Sequence, residues 1–225
     1  EALEGLDGSV HSVQPRVVSV SQASELGTVY GHSEISAISE LAHARGLKLH
    51  MDGARFANAM AHLGGTPAEA TWKNGVDVLS FGATKAGALA AEAVVFFDPA
   101  LAGEFEYRRK RGGHLASKMR FVSAQLEAIL ENDLWLTSAA RANALAARLA
   151  GALKQIADIE IAYPVETNMV FARMPVAKAA RMRAGGAEFH DWFPPKDGKV
   201  VTRLALAFAT PEEDVAKLIA LAKEK

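Results

Sequence analysis

Apolar positions along this chain alternate between runs of period two and stretches of helical period. Val17-Val18-Ser19-Val20-Ser21 reads as a short strand. Ser33 then opens a helix as N-cap, with Ile35, Ile38, Leu41 and Ala42 as its apolar stripe and Gly46 as its stop. Leu47-Lys48-Leu49-His50-Met51-Asp52 reads as the next strand, and residues 56–63 follow as a helix ended by Gly64-Gly65. Thr66-Pro67-Ala68-Glu69 has the form of a capping box with Pro at the first helical position. Residues 76–81 and 93–97 give a third and a fourth strand. Strands alternating with helices at this spacing predict parallel βαβ units, hence an α/β fold. In such sheets functional groups gather at the carboxyl ends of the strands. Asp52 and the turn running from Ser80 to Lys85 both fall there.

The character changes after Asp98-Pro99. A charged helical stretch at 105–111 breaks at Gly112-Gly113, and long helices follow at 117–131 and 134–156. The second carries Leu145, Leu149, Leu153 and Ile156 on one face. Short strands are expected at 159–163, 169–173 and 200–206. Thr210-Pro211-Glu212-Glu213 has the form of a second capping box, opening a final helix with Val215, Leu218, Ile219 and Ala222 inward. The pattern divides the chain into a larger α/β unit over 1–131 and a smaller α+β unit over 132–225.

Composition narrows the function classes. Half of the 225 residues are hydrophobic, which excludes disorder as a description of the whole chain. Twenty-five Lys and Arg against 26 Asp and Glu leave a balance of −1, so no global charge points to nucleic acid or an anionic membrane. There is no cysteine, which removes disulfides, thiolate nucleophiles and Cys-ligated metals and suits a cytoplasmic setting. No apolar run approaches the roughly 18 residues a spanning helix needs. The acidic start at residues 1–5 does not have the form of a signal peptide.

Lys85 lies in Ser80-Phe81-Gly82-Ala83-Thr84-Lys85-Ala86-Gly87, a turn of small residues that lets a ligand approach closely. A lysine there suits Schiff-base chemistry; a solvated loop lysine is the alternative. A phosphate loop is excluded, because Gly does not precede Lys85 and Ser or Thr does not follow it. Asp52 ends the preceding strand, one βαβ step away, so the two can face one crevice. A carboxylate opposite a lysine is the arrangement that keeps the pyridine nitrogen of pyridoxal phosphate protonated; capping of the helix that follows is the other reading of Asp52. Arg55 and Arg203 carry guanidinium groups able to grip a substrate carboxylate bidentately. His43, His50 and His62 with Asp52 do not make a convincing metal set. The basic run Arg108-Arg109-Lys110-Arg111 reads as a solvated helix face, with an anion site beside Gly112-Gly113 as the alternative. Trp72, Trp135 and Trp192 are too scattered to stack bases.

Three stretches together carry a resemblance. The segment from Val20 through Gln22-Ala23-Ser24-Glu25-Leu26-Gly27-Thr28 to Tyr30, the segment His50-Met51-Asp52-Gly53-Ala54-Arg55-Phe56-Ala57-Asn58-Ala59, and Val78-Leu79-Ser80-Phe81-Gly82-Ala83-Thr84-Lys85 resemble the low-specificity L-threonine aldolases. These belong to the fold-type-I pyridoxal-phosphate enzymes of the β-eliminating lyase superfamily. Arg109-Lys110-Arg111-Gly112-Gly113-His114-Leu115 and Thr167-Asn168-Met169-Val170-Phe171 look similar to the same branch. The resemblance implies a fold-type-I PLP-transferase fold, with 1–131 the carboxyl-terminal portion of its cofactor-binding large domain and a mostly parallel sheet. It implies pyridoxal 5'-phosphate as cofactor, Lys85 as Schiff-base lysine, Asp52 on the pyridine nitrogen, Arg55 near the ring oxygen and the substrate carboxylate, and Arg203 as second carboxylate-binding arginine. Lys110 would approach the site. The implied reaction is aldol cleavage of L-threonine or L-allo-threonine, small β-hydroxy amino acids, to glycine and acetaldehyde. β-Elimination, racemisation and transamination on the same fold are the alternatives, as is an inactive fragment. A homo-oligomer, dimer or tetramer, is also implied. Ala86 departs from the Asn often found after the lysine. The family's glycine-rich phosphate cradle, the ring that stacks on the cofactor and a substrate-binding Ser belong to an amino-terminal part not visible in this sequence. The chain thus reads as a carboxyl-terminal portion with an exposed sheet edge.

Overall fold

Three of the expected strands pair in parallel in the computed structural model, which describes residues 9–224. β1 (Val17–Ser21), β2 (Lys48–Gly53) and β3 (Val78–Gly82) lie side by side in chain order, and β4 (Glu92–Phe96) joins β3 antiparallel. The acidic start at 1–5 lies outside the described residues. The mostly parallel sheet is as expected, and the reversed direction of β4 has a simple cause. Only residues 83–91 link it to β3, too few for the dozen or so that a parallel crossover needs. β1 has a neighbour on one side only and is an edge strand of this sheet.

Between the strands run α1 (His32–His43), α2 (Phe56–Leu63) and the single turn α3 (Pro67–Ala70). The Thr66 capping box forms as predicted: Glu69 N–H donates to Thr66 Oγ1 at 3.3 Å, and Thr66 N–H donates to Glu69 Oε2 at 2.9 Å. The start of α1 differs from the expectation. Its N-cap is Gly31, not Ser33, and the Glu34 carboxylate accepts the Gly31 N–H at 2.7 Å. Leu41 is exposed, whereas Ser39 is buried because its hydroxyl donates to the Gly75 carbonyl at 3.1 Å.

Burial along β2 has period two. Leu49, Met51 and Gly53 are inside, while His50 and Asp52 share the opposite, half-buried face. Beneath the inner face Phe56 stacks on Trp135 at 6.1 Å, and Phe81 meets Trp135 edge-on at 5.7 Å. Past β4 come α4 (Phe105–Arg111), α5 (Arg120–Leu130) and α6 (Leu134–Leu153). α6 serves two cores. Trp135 and Ala139 belong to the first, and Leu145, Leu149 and Leu153 to the second.

The second core lies under an antiparallel sheet. Its strands are β5 (Glu160–Ile161), β6 (Met169–Pro175), β7 (His190–Asp191) and β8 (Lys199–Ala205), ordered β5-β6-β8-β7. α7 (Val176–Ala184) and α8 (Glu212–Lys223) complete the unit. The smaller α+β unit is therefore present, with β7 and α7 additional to those read from the pattern. The capping box at Thr210 does not form. Thr210 Oγ1 accepts the Ala207 N–H at 2.9 Å, and Pro211 takes the N-cap position of α8 without a side-chain bond. Among the described residues no helix is long and apolar enough to cross a membrane.

Candidate functional site

β2 and β3 end side by side at their carboxyl ends, with Asp52 in register with Ser21 on one side and Ser80 on the other. Two residues earlier on the same face, His50 is fixed between serines. Its Nδ1 lies 2.8 Å from Ser19 Oγ and its Nε2 2.9 Å from Ser80 Oγ. A polar stripe thus crosses three strands, leading to Asp52. Asp52 Oδ1 accepts the Ala54 N–H at 2.9 Å, so the capping role is real in part, although α2 begins only at Phe56. Its Oδ2 accepts no hydrogen bond from the described residues.

Glycines bring the two strand ends together. A Cβ on Gly82 would stand 2.7 Å from Ala54 Cα, and one on Gly53 would stand 2.8 Å from the Ser80 carbonyl oxygen. The backbone bearing Asp52 and Arg55 therefore packs directly against the backbone leading to Lys85. Lys85 occupies a short 3-10 turn, Thr84–Ala86. Ala83 and Ala86 on either side are buried and anchor that turn, while Thr84 Oγ1 donates to Glu92 Oε1 at 2.6 Å. The Lys85 side chain is exposed and has no ion pair or hydrogen bond among the described residues. Among the described residues no hydrogen bond or ion pair joins it to Asp52, Arg55 or Arg203.

Arg55 and Arg203 lie near enough for their charges to act on one another. Arg55 stands at the N-cap of α2, half-buried. Burial, together with the positive charge of Arg203 beside it, lowers its pKa from the usual guanidinium value; Glu25 and Asp52 act in the opposite sense. Arg203 comes from the middle of β8, opposite Phe171 and His190. Neither guanidinium has a hydrogen bond or an ion pair among the described residues. Two neighbouring cations with their N–H donors free of protein acceptors constitute a site for an anion.

The segment at residues 22–30 holds the two sheets in this relation. Gln22 N–H donates to the Asp52 carbonyl at 2.8 Å, and the Gln22 side chain bonds both the N–H and the carbonyl of Tyr30. From there Val29 N–H donates to Glu166 Oε2 at 2.6 Å, and Thr167 Oγ1 donates to the Gly27 carbonyl at 2.9 Å. Gly27 has φ +80°, and a Cβ there would meet Thr167 Oγ1 at 3.2 Å and Met169 Cβ at 3.3 Å. A second tie runs between α2 and α6, where Asn58 Nδ2 donates to Asn143 Oδ1 and Asn143 Nδ2 to the Asn58 carbonyl, each at 2.9 Å.

The sequence reading missed Glu25, Glu166 and Trp192 as parts of this arrangement. The charge of Glu25 acts on Arg55, and Trp192 lies under Arg203, whose guanidinium carbon is 4.8 Å from the indole centroid. Lys110 lies exposed on α4 and has no hydrogen bond or ion pair with the four predicted residues among the described residues. No three His, Cys, Asp or Glu side chains among the described residues gather as a metal set.

The chain is 45% identical over 211 residues to a low specificity L-threonine aldolase of a Pseudomonas species, covering 94% of this chain and 60% of that protein. A second, from Pseudomonas aeruginosa, is 44% identical over 93% of this chain and 59% of the relative. A threonine aldolase structure from Leishmania major superposes with a TM-score of 0.89 at 29% identity, over 96% of this chain and 62% of that one. The chain thus spans about three fifths of the length of the curated relatives it matches most fully. A family model described as beta-eliminating lyase matches residues 1–177. With that match covering most of its length, the chain belongs to the beta-eliminating lyase family.

Proposed function

We propose that the protein to which this chain corresponds is a pyridoxal-phosphate-dependent aldehyde-lyase that cleaves L-threonine or L-allo-threonine to glycine and acetaldehyde. The observation that carries this reading is the pairing of Arg55 with Arg203 beside Asp52, at the mouth of the strand end that leads to Lys85. The donor set suits the cofactor. It offers one unpaired amine, one carboxylate with an oxygen to spare and two arginines without protein acceptors. Lys85 would hold the cofactor's aldehyde carbon, and Asp52 would hold the proton on its pyridine nitrogen. When bound, the cofactor supplies an electron sink for the pair left at the substrate's Cα.

The chain's own residues do the rest. Arg55 and Arg203 receive the substrate carboxylate from two sides, and their mutual repulsion is relieved as it enters. Fixing the carboxylate at two points sets the orientation about Cα, which decides which bond of that carbon is aligned for cleavage. The Ser19–His50–Ser80 stripe pins β2 in register with its neighbours, so Asp52 is delivered at a fixed height. Exposed apolar side chains at Leu89, Tyr107 and Phe121 support a homo-oligomer as part of the same reading.

Incubation of the chain with pyridoxal phosphate, borohydride reduction and peptide mapping test the assignment. The expected result is a pyridoxyl group on Lys85, lost in Lys85→Ala, with acetaldehyde release from threonine as the companion assay. Modification of a different lysine overturns the Lys85 role. A reduced product that persists in Lys85→Ala does the same.

A further inference from the structure

A guanidinium has two kinds of surface. Its planar faces are attracted to aromatic rings, and its edge carries five N–H donors. Arg203 uses the first kind within the protein, with its guanidinium carbon 4.8 Å from the Trp192 ring centroid. It makes no hydrogen bond or ion pair with any described residue, so the edge is free. The indole is itself firmly placed. Phe171 meets it edge-on at 5.5 Å and Phe193 lies 6.4 Å away, while the backbone N–H of Trp192 donates to the Val201 carbonyl at 2.7 Å and fixes the main chain that carries the ring. Tyr163 in turn packs against Phe171 at 5.6 Å.

This placement matters because of Arg55. The like charge beside Arg203 favours rotamers that swing the long side chain out to water, and an arginine has ample rotamer freedom to do so. A ring under one face opposes that motion without consuming a single donor. We propose that Trp192 is a positioning residue: its indole face holds Arg203 with the donor edge turned to receive the substrate carboxylate. The proposal rests on the reading of Arg203 as a carboxylate-binding residue, and its test separates the two.

The 225-residue chain is titrated with glycine, and affinity is read from backbone amide shifts. Ethanolamine, which lacks the carboxylate, is the control ligand. The variants are Trp192→Leu, Trp192→Phe and Arg203→Ala. Trp192→Leu is expected to weaken glycine about 3–30-fold, the range of a cation–π contact from exposed to desolvated. Trp192→Phe, which keeps a ring face, stays within about 3-fold of the parent. If Arg203→Ala weakens glycine but Trp192→Leu does not, the positioning role falls and the Arg203 reading stands. If Arg203→Ala binds glycine as the parent does, the Arg203 reading fails and the proposal with it. Equal loss in folded Trp192→Phe and Trp192→Leu points to packing, not to the ring face, and overturns the proposal. Should Trp192→Leu not fold, the parent protein decides. The Arg203 Nε–H proton, assigned by its loss in Arg203→Ala, must lie upfield of the other arginines, and a resonance among them refutes the stacking.

Discussion

Replacing Gly82 by Ala puts the close packing of the two strand ends to a direct test. Gly82 has no left-handed backbone angle, so the argument is one of space alone. The added Cβ would stand 2.7 Å from Ala54 Cα and 3.2 Å from the Ala54 carbonyl carbon, short of the 3.4 Å at which ordinary contact begins. Glu92 Oε2, 3.0 Å away, could swing aside, but the two Ala54 atoms are backbone of the turn between Asp52 and Arg55 and cannot yield in that way. Relief requires the β2–α2 turn and the β3 end to separate by several tenths of an ångström. Overpacking of this kind costs about 1–3 kcal/mol. For a chain of this size that corresponds to a fall in Tm of roughly 2–12 °C. The same displacement moves Asp52 and Arg55 relative to Lys85, and small misplacements of this sort cost on the order of 100-fold in rate. Gly151→Ala is the control. It lies in α6 with nothing within 4 Å of its would-be Cβ, and it should stabilise by about 0.5–1 kcal/mol. Thermal unfolding followed by circular dichroism reads both variants. A Gly82→Ala protein that melts with the parent refutes the claim that the strand ends are in backbone contact.

Two further outcomes follow from the same structure. Burial pushes the Asp77 carboxyl up, but the Leu49 N–H at 2.8 Å, His43 and Lys48 outweigh it and hold the group below the ordinary carboxylate range. A depressed folded pKa contributes stability above the unfolded value and loses it as pH falls through the folded one. Asp77→Asn should therefore lower Tm at neutral pH and flatten the acid limb of a Tm-versus-pH profile, and an unchanged limb contradicts the assignment. Leu149 is fully buried in the second core, and Leu149→Ala should cost about 2–5 kcal/mol by urea unfolding. A loss under 1 kcal/mol would mean that α6 is not packed there.

What the sequence disclosed is local in origin. Period-two burial in β2, the capping box at Thr66 and the alternation of strand with helix depend on residues a few positions apart, and all were legible. Asp52 and Lys85 at neighbouring strand ends followed from that alternation. Other features turned on competition between equally local partners or on partners distant in the chain. Ser33 lost the N-cap of α1 because Glu34 reaches back to Gly31, and Thr210 turned to Ala207 instead of capping α8. α7 was missed because its inner face is short, with Ala179 and Met182 joined by a buried lysine, Lys178, whose ammonium donates to the Ala222 carbonyl at 2.7 Å. Arg203 was singled out for its guanidinium and given its place by the resemblance, since no spacing in the sequence links β8 to α2. Glu25 and Trp192 had no pattern to mark them, because their meaning arises only where two sheets meet.

The candidate site draws its residues from both sheets. Arg55 is placed by a turn whose glycines allow backbone contact, Arg203 by a strand of the other sheet, and the stretch 22–30 ties one to the other through Val29, Glu166, Gly27 and Thr167. Folding alone would not favour two guanidiniums within reach of each other's charge and without protein acceptors. The chain tolerates them because Glu25 and Asp52 offset the charge of Arg55, and an indole face rather than a carboxylate holds Arg203. A protein carboxylate bonded to both would make a more stable seam and would also fill the place a substrate must take. Two arginines left without protein acceptors are therefore a feature that stability does not explain and that the proposed binding of a carboxylate would.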